Sequence, residues 1–305
     1  MTVWRYRFAG LLFESALHLP EWAAFGSGEA AMDPDVVIAL DNAPRVPGTD
    51  EPPVVRPDEY SFFMRDAGRY RVLDGRRIVV TPVMGAGGRE LRLFLLGSAL
   101  GALCYQRGLL LLHASVVRLG ARAIALCGSA GSGKSSLAAA LIERGAAFVC
   151  DDLGRFDTAS GRAIVYPSTP RLKLWREALD ALPRRHDALE RDHFRAEKFH
   201  LPQTLRNPWS PVPLDAIYLL EWNDGSANAT VLSGVPALRS LVTSATYRPD
   251  LLEAMGQIAT HWQRCAAIAA GTSVYRLARP RAWHAMGAAI DAIEADHLDG
   301  RSAIA

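Results

Sequence analysis

The 305-residue sequence predicts an α/β fold: a phosphate-binding P-loop core preceded by a small β-rich N-terminal module. Three observations carry that prediction. Residues Gly128 to Ser136 read GSAGSGKSS, a full match to G-x-x-x-x-G-K-[ST]. An apolar, strand-like run, Ala123 to Cys127, leads into this motif, and a run of helix formers, Ser135 to Arg144, leads out of it and stops at Gly145. The next apolar run, Ala146 to Cys150, reads as a strand that ends in Asp151-Asp152.

Each remaining element has a local reason. Val3 to Phe8 alternates like an exposed strand, and Val36 to Leu40 is an apolar run inside a Pro-, Gly- and Asp-rich stretch. Tyr70 to Leu73 and Arg77 to Thr81 flank Asp74-Gly75, a pair that supplies the positive φ angles of a tight hairpin turn. Residues 1–88 therefore read as the β-rich module, with a boundary near Gly85 to Gly88, and 89–305 as the P-loop domain. Arg89 to Arg107 reads as a mostly buried helix closed by Gly108. Leu109 to Val117 reads as one strand, with a turn at Gly120 before the strand into the loop. Later elements are a strand at Ala216 to Glu221, a helix over Leu251 to Ala269, a strand at Ser273 to Leu277 and a final helix from Pro280 to about Ala295. Trp209, Trp222 and Trp262 read as packing residues.

Composition narrows the class. Half the residues are apolar and 22% are charged, as in an ordinary globular chain, and a net charge of +2 argues against a general nucleic-acid binder. The stretch from Leu91 to Leu112 is interrupted by Arg92, Gln106 and Arg107, and is too polar to span a bilayer. The N-terminus, broken by Glu14, is not read as a signal peptide. Four cysteines at 104, 127, 150 and 265 have no metal spacing and suit a reducing cytoplasm. Only three of the 34 Lys and Arg residues are lysines: Lys134, Lys173 and Lys198. A lysine kept where arginine dominates points to work for a compact ammonium and not a planar fork.

The motif names a ligand. Backbone N–H groups along Gly128, Ser129, Ala130, Gly131, Ser132, Gly133, Lys134, Ser135 and Ser136 can converge on the phosphates of ATP, with glycine allowing close approach. Lys134 would reach the β- and γ-phosphates and Ser135 would hold Mg²⁺, at the positive N-terminal end of a helix. Asp151 and Asp152, at a strand end beside the loop, suit two tasks between them: one carboxylate to ligate Mg²⁺ and the other to face the acceptor and take its hydroxyl proton. His113 stands alone on an apolar strand. Arg171 and Lys173, after Pro170, are candidates for contacting phosphate or an acidic peptide; the alternative is surface charge at a helix start. Lys198, in the mixed run RDHFRAEKFH, is a weaker candidate, since such runs are commonly solvated.

From His113 to Asp152 the stretch LLLLHASVVRLGARAIALCGSAGSGKSSLAAALIERGAAFVCDDLGRF resembles the core of the HPr serine kinase family. The segments YPSTPRLKLW, RAEKFHLP and YRFAGLLFESALHLPEW resemble divergent members associated with lasso and other ribosomal-peptide clusters. The resemblance implies a P-loop kinase core of the HPr kinase/phosphoenolpyruvate carboxykinase type. It implies Asp152 as proton acceptor, Lys134 and Ser135 serving ATP and Mg²⁺, and His113 in the active site. Two departures stand out: Ser136 replaces the glutamate that follows GKS in HPr kinases proper, and their signature segment downstream of the aspartate pair is absent. The resemblance therefore does not extend to the reverse dephosphorylation or to HPr itself as substrate. The expectation is an ATP- and Mg²⁺-dependent kinase acting on a serine hydroxyl of a peptide or small protein, with a lasso-type precursor as one candidate and a homo-oligomer allowed. Two alternatives stay open: a non-catalytic ATP-sensing module and a kinase of a small metabolite.

Overall fold

A computed structural model describes residues 2–28, 32–41, 52–183, 188–193 and 195–298. The fold is mixed α/β, and the chain divides into two compact units: Met1–Leu111 with Tyr247–His261, and Leu112–Thr246 with Trp262–Ala305. The division falls at Leu111, not near Gly88, so the segment 89–111 belongs with the first unit. In that unit Tyr70 donates its hydroxyl to the carbonyl of Leu91, at 2.9 Å, joining the sheet to the following helix.

The first unit is built on a seven-stranded sheet. Its strands are β1 (Trp4–Phe8), β2 (Leu11–Ser15), β3 (Val36–Leu40), β4 (Val54–Val55), β5 (Glu59–Met64), β6 (Gly68–Leu73) and β7 (Arg77–Pro82), in the order β1-β2-β3-β7-β6-β5-β4. The expected hairpin is present as β6 and β7. Asp74 and Gly75 both take positive φ, 52° and 62°, and the N–H of Arg76 closes the turn on the carbonyl of Leu73 at 2.9 Å. Phe8 stacks on the buried Trp22, Phe13 meets it edge-on, and Phe25 packs edge-on against Phe8. Helices α1 (Gly88–Phe94) and α2 (Leu100–Gln106) are joined by a π-helical stretch, Leu95–Ala99, so the buried segment anticipated over 89–107 is helical throughout but widened at its centre.

The expected single strand over 109–117 is instead two, β8 (Leu110–Leu112) and β9 (Ala114–Leu119). His113 lies between them, because its N–H donates to the carbonyl of Ala245, at 2.7 Å, and not along the sheet.

The second unit places strand ends with care. Its main sheet holds β9, β10 (Arg122–Cys127), β11 (Ala147–Cys150), β12 (Gly154–Ala159), β13 (Arg162–Val165), β17 (Val212–Trp222), β18 (Asn228–Leu232) and β19 (Ser273–Arg279). A separate three-stranded sheet has the order β14 (Arg171–Trp175), β16 (Lys198–Pro202), β15 (Glu190–Arg191). β10, β17 and β19 are mutually parallel. β9 runs antiparallel to both β10 and β11. Consequently the C-terminal ends of β10, β11, β17 and β19, and the N-terminal end of β9, all lie along one edge. That edge carries the Gly128 loop, Asp151-Asp152, Trp222, Arg279 and His113.

Helix α3 (Lys134–Glu143) leaves the loop and covers the sheet with fully buried Leu137 and Leu141; burial of this kind contributes about 1.5–3 kcal/mol per leucine. Leu172, Leu174 and Phe199 of the small sheet and Ile290 and Ile293 of the C-terminal helix share that core. Short α4 (Arg176–Asp180) and α5 (Gly234–Ala245) follow. The helix expected over 251–269 is two, α6 (Pro249–Ala254) and α7 (Ile258–Gly271), because Gly256 turns the chain with φ of 68°. The last helix, α8 (Met286–Leu298), starts six residues after Pro280, behind a 3₁₀ turn at Trp283–Ala285. Trp209, Trp222 and Trp262, read as packing residues, are 51%, 38% and 39% exposed.

His261 is buried, and burial pushes its imidazole down to about 4. Between pH 6.5 and 4 the unfolded chain therefore binds a proton that the native chain does not. Stability from this residue should fall as the pH drops through that window, by up to about 3 kcal/mol. We predict that His261→Phe flattens this acid loss in urea unfolding between pH 7 and 4.5. Identical pH dependence in variant and wild type would contradict the assignment.

Candidate active site at the strand-end edge

The loop Gly128–Gly133 joins β10 to α3, and Gly133 takes φ of 83° immediately before the first helical residue. A side chain there would be strained, and its Cβ would run into the guanidinium of Arg279. Lys134 is buried, and its ammonium donates to the carbonyls of Gly128 and Ser129, at 2.8 and 2.9 Å. Burial pushes this ammonium below its ordinary value. A buried ammonium whose hydrogen bonds go to carbonyl dipoles favours an anion that enters the loop.

Asp151 is the most constrained group. Its Oδ1 accepts from the hydroxyls of Ser115, at 2.6 Å, and Ser135, at 2.9 Å, and its Oδ2 accepts from the backbone N–H of Lys173, at 2.9 Å. Its own N–H donates to Ser168 Oγ, at 3.1 Å. Burial and the neighbouring Asp152 charge raise its carboxyl above the usual range, against the three hydrogen bonds that lower it. A divalent cation would relieve this tension. Among the described residues no group of three or more His, Cys, Asp or Glu side chains is placed to hold a metal. The donor set here is one carboxylate and one hydroxyl, which fits Mg²⁺, an ion that keeps several waters and takes phosphate oxygens as further ligands.

Asp152 faces the other way. It sits at φ of 71°, and the N–H of Leu153 donates back to the carbonyl of Asp151, at 2.9 Å, closing a tight three-residue turn. A β-unbranched but non-glycine residue in this region is strained, and such strain concentrates at functional positions. Asp152 Oδ2 meets the Lys173 ammonium at 2.5 Å, and its Oδ1 lies 3.5 Å from His113 Nε2. Burial raises the Asp152 carboxyl, but Lys173 and His113 together outweigh it and hold the group well below the usual carboxylate range.

Arg171 and Lys173 lie on strand β14, not at a helix start. Leu172 and Leu174 point into the core, while Arg171, Lys173 and Trp175 share the opposite face. Lys198 pairs in register with Trp175, its ammonium 5.8 Å from the ring centre, and His200 pairs with Lys173. Lys198 is therefore part of a sheet, not a solvated run; burial lowers its ammonium, while the charges of Asp152 and Asp151 raise it. All three lysines of the chain thus act on the same pair of carboxylates. Arg171 is oriented toward His200 Nδ1, at 3.5 Å.

No protein-family model matches this sequence, and no curated protein matches it. Among solved structures the chain is similar to the structure of the Hpr(Ser) kinase/phosphatase from Coxiella burnetii, at 12% identity and a TM-score of 0.35, over 62% of this chain and 91% of that one. That likeness is weak. No helix among the described residues is long and apolar enough to cross a membrane.

The structure brings His113, Lys134, Ser135, Asp151, Asp152, Lys173 and Lys198 to one edge, and Arg171 to the adjoining sheet. Sequence reasoning missed Ser115, Ser168, Trp222 and Arg279. Ser115 had a signal: it lies two residues after His113, as strand alternation requires for two side chains on one face. Ser168 had none, because its role depends on a loop folding back onto β11.

Removing the Ser115 hydroxyl leaves a buried carboxylate with one donor fewer. We predict that Ser115→Ala lowers stability by about 1–3 kcal/mol at neutral pH. An unchanged urea midpoint would show that Ser115 does not support Asp151.

Proposed function

We propose that the chain is an ATP- and Mg²⁺-dependent kinase that transfers the γ-phosphate to a serine hydroxyl of a peptide or small protein. The observation that carries this reading is the meeting of Ser135, at the loop, with Asp151, at the end of a different strand, with Asp152 beside them, paired with Lys173. Loop N–H groups and Lys134 bind the triphosphate. Asp151 and Ser135 would hold Mg²⁺, which would supply charge neutralisation at the phosphate oxygens.

Asp152 takes the acceptor proton. The serine oxygen bonds to the γ-phosphorus as the bond from that phosphorus to the β,γ-bridging oxygen breaks, the hydroxyl proton passes to Asp152, and ADP leaves. Paired with Lys173, Asp152 is ionised but weakly basic. A nucleotide that draws the Lys173 ammonium toward its γ-phosphate raises the basicity of Asp152 when it is needed. His113, 3.5 Å from the same carboxylate, orients it. Most of the rate enhancement in this scheme comes from positioning and charge neutralisation.

The acceptor side is the outward face of β14 and β16. Arg171, Lys173 and Lys198 make it cationic, and exposed Trp175 adds an apolar surface. That combination favours an extended, acidic peptide over a small neutral metabolite. A ribosomal-peptide precursor of the lasso type is the candidate that the sequence resemblance supports. The strained turn at Asp152 favours chemistry over ATP sensing alone.

Two variants test the scheme. Asp152→Asn should abolish phosphate transfer from labelled ATP to serine-containing acidic peptides while leaving ATP affinity within about threefold of wild type. Transfer at the wild-type rate would remove Asp152 as proton acceptor. Lys134→Ala should weaken ATP binding and turnover together, and unchanged affinity and rate would remove the phosphate-loop reading.

A further inference from the structure

Arg279 ends β19 and is 2% exposed, which is unusual for a guanidinium. Among the described residues no carboxylate pairs with it, and its Nε has no hydrogen-bond partner. Its Nη2 donates instead to the carbonyls of Ser132 and Gly133, at 3.3 and 3.4 Å. Its guanidinium carbon lies 4.3 Å from the ring centre of Trp222, the residue that pairs with it in register on β17. Burial alone lowers it to about 10, which leaves it charged at neutral pH.

A buried cation without a counter-ion is costly for a fold, and two carbonyl dipoles offset only part of that cost. The direction of those dipoles is informative. In a trans peptide the C=O and N–H point to opposite sides. The carbonyls of Ser132 and Gly133 belong to the same peptide planes as the N–H groups of Gly133 and Lys134. With both carbonyls turned to Arg279, the Gly133 carbonyl shared with the N–H of Leu137 at 2.9 Å, both N–H groups are turned away from the guanidinium. A cation on the carbonyl side also polarises each amide and strengthens its N–H as a donor. In the same loop the hydroxyl of Ser132 is buried without a hydrogen-bond partner.

We infer that Arg279 is a positioning residue of the phosphate loop: it grips the Ser132 and Gly133 carbonyls from behind, aims the N–H groups of Gly133 and Lys134 at the ligand, and supplies a buried positive charge that a bound polyphosphate neutralises. The inference rests on the reading of this loop as a nucleotide site. It makes the arginine unfavourable for the ligand-free protein and favourable for the complex, so the two effects have opposite signs.

The test is to measure thermal melting without ligand, and the affinity for ATP and for inorganic tripolyphosphate by calorimetry, in wild type, Arg279→Met and Arg279→Lys. The methionine variant should melt at or above the wild-type temperature without ligand, yet bind both ligands at least roughly tenfold more weakly. The loss should be equal for the two ligands, because the charge reads phosphate and not the base. The lysine variant, which keeps the charge, should recover most of the affinity. If the methionine variant does not fold, Arg279→Gln takes its place with the same expected loss of affinity. Wild-type affinity in the neutral variant, or a lysine variant as weak as the neutral one, overturns the role. Failure of the wild-type protein to bind either ligand overturns the nucleotide reading itself, a result distinguishable from both.

Discussion

The carboxylate of Asp151 is the point on which the second unit converges. Ser115 reaches it from β9, Ser135 from α3, and the backbone of Lys173 from β14. These segments are far apart in the chain and belong to the main sheet, the helix behind the loop and the small sheet. One buried anion with three donors aligns all of them. The same alignment leaves the next residue, Asp152, no relaxed backbone conformation, and it turns outward through a strained turn to meet Lys173 and His113.

The electrostatics follow from that arrangement. Asp151 and Asp152 are neighbours, yet one is raised and the other depressed: burial and the charge of Asp152 raise the first against its three donors, and the Lys173 ammonium and His113 depress the second. Lys134 and Lys198 add positive charge to the same edge, and Arg279 adds more from behind the loop. Cations outnumber the two carboxylates there, an imbalance suited to a polyanionic ligand. A compact ammonium can approach a carboxylate and a phosphate in turn without presenting a fixed fork, which accounts for lysine at these positions in a chain that otherwise uses arginine.

Much of the site could be read locally. The loop from Gly128 to Ser135, the strand before it and the helix after it are written in contiguous residues, and so is the strand that ends in Asp151-Asp152. The Asp74-Gly75 hairpin was equally plain, since its turn conformation is a property of two residues. Misreadings came where a distant partner overrode local pattern. His113 looked like the middle of a strand, but its N–H is claimed by Ala245. Arg171 and Lys173 looked like a helix start after a proline, but their segment pairs with β16 through residues nearly thirty positions later. Trp222 read as a packing residue, but it ends its strand at the open edge and lies against the Arg279 guanidinium.

By itself the sequence determined the chemistry available: a glycine-rich loop closing in lysine and serine, a pair of carboxylates, and three lysines in a composition dominated by arginine. Short-range rules suffice for that, because turn geometry, helix starts and strand alternation act over a few residues. Only the tertiary structure decided which groups meet. Parallel pairing of β10, β17 and β19, with β9 reversed between β10 and β11, carries strand ends from residues 127, 150, 222 and 279 to one edge. Sheet register and the burial of Arg279 depend on contacts across some 150 residues, and no local pattern encodes them.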